Sequence, residues 1–230
     1  MLLQKALLAC RLFLCLTLSM QGVAAILLAA GQSRRMGAFK PLLPFGAKTV
    51  IDSCLDYLKE GGVETIVVVV GHRAHDIRQH LRQTDVRFAL NPDPTSEMGA
   101  SISAGVEVLP ETTQAVLIGL VDHPAVPASI VSTLTDEWSK GGKIVIPTWS
   151  DRGGHPVLVD MSLKEDLLKL DRQGGLRQLF VNHEQDVVRN AVESPFVARD
   201  MDTWDDYCRL HEEVFGEPPH RADETIPTKR

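Results

Sequence analysis

The stretch Val23-Ala24-Ala25-Ile26-Leu27-Leu28-Ala29-Ala30-Gly31-Gln32-Ser33-Arg34-Arg35-Met36-Gly37-Ala38-Phe39-Lys40 decides the fold. Its first six residues are uniformly apolar, the composition of a strand buried on both faces, and they run straight into a loop carrying two glycines and three cations. A strand that opens into such a loop is where an open α/β sheet binds ligands, because ligands sit at the carboxyl ends of its strands. The glycines let backbone amides approach a ligand, and Arg34, Arg35 and Lys40 supply charge for a polyphosphate. The spacing is neither G-x-G-x-x-G nor a glycine followed by Lys-Ser or Lys-Thr, so the loop is not a dinucleotide fingerprint or a P-loop.

Working outward, short β-rich runs at 65–70, 86–90, 115–120 and 144–146 alternate with helical patterns. Val50, Ile51, Cys54, Leu55 and Leu58 repeat at 3.6-residue spacing and stop at Gly61-Gly62, while Ile77 with Leu81 and the run 102–109 mark two more helices. Past Gly153 the reading is a strand at 156–159, helices around 163–170 and 176–182, a strand near 187–192, and a last helix between Thr203 and Gly216. This alternation predicts a doubly wound, mostly parallel α/β sheet in one domain over 20–216, with a disordered proline-bearing tail at 217–230. No internal repeat or linker divides the chain.

The 230 residues carry 24 basic and 30 acidic side chains, with 44% hydrophobic and 5% aromatic residues. A net charge of −6 has the wrong sign for generic binding to nucleic acid or a membrane surface. Residues 1–19 stand apart: Lys5 and Arg11 flank a leucine-rich run without acids, and two of the four cysteines lie there. Two readings stand, a secretory leader with small residues Gly22-Val23-Ala24-Ala25 at its end, or an upstream extension of a protein starting at Met20. Cleavage at 24 or 25 would cut into the first strand, so the expectation is the second, with a cytoplasmic protein. The apolar run is short for a membrane span and broken by Arg11, Thr17 and Ser19. From Met20 onward the charge is −8 and only Cys54 and Cys208 remain, which is no disulfide framework.

The loop resembles the signature L-A-A-G-x-S-x-R-M-G-x-x-K of the MobA-like nucleotidyltransferases, especially the molybdenum cofactor cytidylyltransferase branch. The resemblance resumes at Asn91-Pro92 with Met98-Gly99-Ala100-Ser101, then at Val121-Asp122-His123-Pro124, Gly154-His155-Pro156, Gly175-Leu176-Arg177 and Asp200-Met201-Asp202-Thr203. It implies a Rossmann-like nucleotide-diphospho-sugar transferase fold. It also implies magnesium-dependent transfer of CMP from CTP to the terminal phosphate of molybdopterin, with release of pyrophosphate. A molybdenum hydroxylase apoenzyme or its chaperone would then receive the product.

On that resemblance Arg35 and Lys40 meet the β- and γ-phosphates, and Leu28, Ala29, Ala30, Gly31 and Ser101 bind the nucleotide. Asp122 and Asp202 hold Mg2+, an ion suited to one or two carboxylates plus phosphate oxygens and water. Arg34 falls at a variable position. Ala29-Ala30 is similar to the CTP-using branch, where guanylyl-transferring relatives tend to carry Ala-Gly. His155 and Arg177 belong to the acceptor side, the first as a donor and the second as a bidentate phosphate clamp.

Each residue also has a plainer reading: a solvated basic turn for Arg35 and Lys40, a turn cap for Asp122, and a helix cap for Ser101 and, with Thr203, for Asp202. Gly154-His155-Pro156 reads equally as a turn leading into a strand, and Arg177 as part of a solvated helix face. Glu97 stands where the family has glycine, His123 where it has Gln or Met, and Trp204 where proline is common. His72, His75 and His80 have a zinc-like spacing, but the expectation is no zinc, since no cysteine is near. The alternatives are a guanylyltransferase or a sugar- or alcohol-phosphate nucleotidyltransferase of the same fold, or a non-catalytic protein that holds and delivers the molybdenum cofactor.

Overall fold

In a computed structural model, which describes residues 20, 22–93, 95, 98–170 and 175–219, the quoted run is strand β1 (Val23–Ala29), buried along its whole length. The hairpin β2 (Pro44–Phe45) and β3 (Lys48–Thr49) precedes helix α1 (Val50–Glu60), and β4 (Thr65–Val70), α2 (Ala74–His80), β5 (Arg87–Leu90) and α3 (Met98–Val108) follow. Next come β6 (Ala115–Leu120), α4 (Ser129–Ser139), β7 (Ile144–Trp149), β8 (Arg152–Gly153) and β9 (Val157–Asp160). The chain closes with α5 (Lys164–Leu168), α6 (Gly175–Asn182), β10 (Val187–Ala191) and α7 (Trp204–Phe215). The readings for 1–19, Glu97 and the tail from 220 onward lie outside the described residues.

The sheet has eight strands in the order β10-β7-β9-β6-β1-β4-β5, with β8 on β7. Alternation along β1 explains the double winding. Ala25, Leu27 and Ala29 pack with α1, α2, α4 and α7 on one face, while Ala24, Ile26 and Leu28 pack with α3, α5 and α6 on the other. With both faces covered, every side chain in the strand must be apolar. The mostly parallel α/β sheet expected from the sequence is therefore present.

Two strands run against the rest, the short β8 on β7 and β9 in the body of the sheet. β9 is antiparallel to both neighbours, pairing Ile118 with Val157 on β6 and Val145 with Leu158 on β7. Its first residues thus lie at the carboxyl edge of the parallel strands, and Gly154-His155-Pro156 reaches the ligand edge from the start of a strand.

Helix α4 has no counterpart in the sequence reading. It begins at Ala128 without a side-chain cap, and its Ser/Thr-rich sequence has weak helix propensity. Thr133 and Thr135 donate their hydroxyls back to the carbonyls of Ser129 and Val131, and burial of Ile130, Val131 and Leu134 holds the helix. Among the described residues no helix is long and apolar enough to cross a membrane.

Candidate active site

β1 and β6 are parallel neighbours in the register Leu28 to Leu120, so the loops leaving them emerge side by side. The β1 loop then folds on itself: Met36 and Gly37 donate to Ser33 O at 3.1 and 3.2 Å. Ser33 takes φ +52°, a left-handed conformation uncommon outside glycine, and its Oγ accepts from the Lys40 amide at 3.3 Å. Met36 is buried, and the Phe39 ring sits under the Arg73 guanidinium at 4.3 Å and edge-on to His72. These anchors fix the stretch from which Lys40 projects inward.

Lys40 is 7% exposed. Its Nζ lies 3.5 Å from Asp122 Oδ2 and 3.2 Å from Asp202 Oδ1, and Arg35 reaches Asp202 Oδ2 at 2.8 Å. Asp202 arrives from the end of the chain because the Met201 amide donates to the Asp122 carbonyl at 3.2 Å. Next to it, Thr203 caps α7 in a box with Asp206, whose amide donates to Thr203 Oγ1 at 3.2 Å while Asp206 Oδ2 accepts from the Thr203 amide at 2.9 Å. The reading of Asp202 as a helix cap is thereby corrected: Asp206 completes the cap, and Asp202 faces the cations.

Asp122 Oδ1 is buried with no hydrogen-bond partner among the described residues, and His123 Nε2 stands 3.7 Å from it. An orphaned carboxylate oxygen is costly unless a ligand satisfies it. Two carboxylates with one such oxygen suit a hard divalent cation that takes its remaining ligands from phosphate and water. Beneath the loop, Cys54 Sγ approaches the carbonyls of Leu120 and Val121 at 3.9 and 3.7 Å. Burial pushes its thiol well above the usual range, and the nearby Asp122 adds to that.

Around this cluster is a cavity of about 420 Å³ lined by Leu28, Ala30, Gly31, Lys40, Ser101 and Asp122, among others. Ala29 does not line it, because the alternation of β1 turns that side chain into the opposite core. Ser101 is not a cap either: it lies inside α3, and its Oγ accepts from Asn91 Nδ2 at 2.8 Å. Asn91 and Asp93 also line the cavity. Neither was singled out from the sequence, although Asn91 stood in a quoted motif.

His155 and Arg177 line a second cavity, of about 1080 Å³, which shares Met98 with the first. Gly154 leads into it by close approach: a β-carbon there would lie 2.2 Å from the Val197 carbonyl oxygen. The His155 amide donates to that same carbonyl at 2.8 Å, and its Nδ1 pairs with Ile118 O at 3.2 Å. Desolvation, reinforced by the His123 ring 5.4 Å away, lowers the His155 pKa to about 4. The imidazole is therefore neutral near pH 7, with Nδ1 as donor and Nε2 as acceptor. This corrects the expectation of His155 as a donor to the acceptor substrate: its one ring N–H is taken by the Ile118 carbonyl. The zinc-like histidines do not converge: His80 pairs with Asp52, and the described residues hold no metal-binding cluster of three or more such side chains.

Residues 25–187 match the MobA-like NTP transferase domain family. The chain is 30% identical over 150 residues to nicotine blue oxidoreductase of Paenarthrobacter nicotinovorans, covering 62% of this chain and 72% of that one. It is 24% identical over 195 residues to the molybdenum cofactor cytidylyltransferase of Escherichia coli strain K12, covering 84% and 97%. Among solved structures, Rv0371c of Mycobacterium tuberculosis H37Rv superposes with a TM-score of 0.73 at 28% identity, covering 84% of this chain and 98% of that one. A manganese complex of Rv0371C superposes with a TM-score of 0.72 at 25% identity, covering 84% and 100%.

Proposed function

Because the chain belongs to the MobA-like NTP transferase domain family and is a nucleotidyltransferase, we propose that it transfers CMP from CTP to the terminal phosphate of molybdopterin, releasing pyrophosphate. The observation that carries this reading is the ion chain Arg35-Asp202-Lys40-Asp122 at a cavity lined by the glycine loop. Cations and carboxylates compensate one another there, and on binding the cations would turn to the triphosphate while the carboxylates would hold the metal. The 24% identity to a molybdenum cofactor cytidylyltransferase supports the choice of base and acceptor.

In this reading Lys40 and Arg35 turn from the carboxylates to the β- and γ-phosphates and neutralise the charge that builds on the departing pyrophosphate. Asp122 and Asp202 would hold Mg2+, which when bound shields phosphate charge and helps orient the triphosphate. Leu28, Ala30, Gly31 and Ser101 line the nucleotide side; Ala29 supports it from the core. Arg177 clamps two oxygens of the acceptor phosphate, and neutral His155 orients the acceptor. The third phosphate oxygen attacks the α-phosphorus as the bond to the bridging oxygen of pyrophosphate breaks. A phosphate monoester is already mostly ionised near pH 7, so no general base is needed; the protein supplies alignment and charge. The product would pass to a molybdenum hydroxylase apoenzyme.

The test is the purified protein with magnesium, each of the four nucleoside triphosphates and molybdopterin, with pyrophosphate measured. Release with CTP, lost in Asp122→Asn, is the expected result. Release with GTP alone moves the reading to guanylyl transfer. A relative named for an oxidoreductase makes absence of pyrophosphate with every nucleotide informative as well, since it would set the transfer aside.

A further inference from the structure

The second cavity is lined by two arginines, with Glu184 also on its wall. Arg177 enters it from α6 and Arg189 from β10. Among the described residues neither guanidinium lies within ion-pair distance of a carboxylate. Arg189 has a defined seat: its Nη1 lies 3.8 Å from where a β-carbon on Gly153 would stand, so it rests across a strand without a side chain in the way. β10 pairs with β7 in the register Arg189 to Ile146, and Ile146 also lines the cavity.

A phosphate monoester has three non-bridging oxygens. A bidentate guanidinium occupies two, and the third must stay free to attack. Each phosphate oxygen can accept more than one hydrogen bond, but a second guanidinium on the third would hinder its attack, which leaves Arg189, on a separate strand, for another group of the ligand. Phe180 and the 68% exposed Val181 form an apolar wall that the body of a ligand would cover.

We propose that Arg189 is a specificity-determining residue that binds a second anionic group of the acceptor, separate from the phosphate that takes up the nucleotide. The substrate class is then a phosphomonoester with an apolar body and a further anion. This rests on the reading of the second cavity as the acceptor side, and it leaves the identity of the acceptor free.

The test compares two probes that differ by one carboxylate, glycerol 3-phosphate and 3-phosphoglycerate, by calorimetry on the full chain with magnesium and a non-transferable CTP analogue. The wild type is expected to bind 3-phosphoglycerate about tenfold more tightly, the worth of one charge-assisted contact. In Arg189→Gln the preference disappears while glycerol 3-phosphate binds as before; in Arg177→Gln both probes weaken. Equal binding of the two probes by the wild type, or a preference that survives in Arg189→Gln, would overturn the proposal. Failure of the molybdopterin reading registers separately, as no pyrophosphate from the wild type with molybdopterin.

Discussion

Lys40 Nζ sits 3.2 Å from Asp202 Oδ1, joining two side chains 162 residues apart in sequence. The contact places a nearly buried ammonium between two carboxylates, where it balances their charge. Lys40→Met removes both that balance and, in the proposed reading, a phosphate ligand. Pyrophosphate release should fall by about 100-fold or more, the usual loss when one transition-state charge contact goes. Mn2+ binding without nucleotide, followed by paramagnetic resonance, should persist or tighten, because the carboxylates lose a competitor. Unchanged turnover would take Lys40 out of the phosphate site.

Asp202 and Asp206 lie four residues apart with different tasks. Asp202→Asn should abolish pyrophosphate release and weaken Mn2+ binding with little change in melting temperature. Thr203→Ala, which removes the α7 cap, should destabilise the fold by about 1 kcal/mol and lower turnover only partly. Melting curves alongside the pyrophosphate assay separate the two; a large stability loss in Asp202→Asn would return it to a structural role.

Gly154→Ala would drive a methyl group into the Val197 carbonyl, 2.2 Å from the new carbon. Backbone cannot yield as a flexible side chain does, so a loss of about 1–3 kcal/mol is expected, read by urea denaturation. His155 is the next residue in this link between β8 and β9, so weaker acceptor binding at unchanged CTP affinity should accompany it.

His155 gives a pH signature. Its folded pKa is lowered to about 4, below the ordinary histidine value of about 6.5. Between those two values the unfolded chain takes up a proton that the folded chain refuses. The stabilising contribution is therefore complete above about pH 6.5 and is lost as pH falls toward about 4. Urea titrations at several pH values across that window should show a steeper decline for the wild type than for His155→Gln. Parallel curves would mean that the ring is not desolvated as described.

The strand and loop at 23–40 were legible because a buried central strand permits only apolar residues and an exposed loop does not. Helix α4 was not, since its weak propensity and missing cap leave tertiary burial as its only support. The reversal of β9 was equally hidden: strand direction depends on pairing partners, and the three apolar residues Val157-Leu158-Val159 read the same both ways. Arg35, Lys40, Asp122 and Asp202 were named from motif resemblance, and the structure brings these four together. Ala29 was named with its neighbours, yet a two-residue period sends it to the other face. Asn91 was quoted only within a motif and His123 only as a departure from the family pattern, because the contacts that make them matter, to Ser101 and to the Asp122 and His155 side chains, join segments whose adjacency the sequence does not announce.

The reversed β9 separates the chain's tasks by position. Apart from Asp202, the side chains around the nucleotide loop come from before residue 123, and, apart from Met98, those of the second cavity come from after residue 145. Exchange of the 150–192 segment between relatives should therefore change which acceptor is served and leave the choice of nucleotide intact. Asp202, supplied from beyond that segment and held by the backbone of Asp122, is the point at which any such chimera must still close.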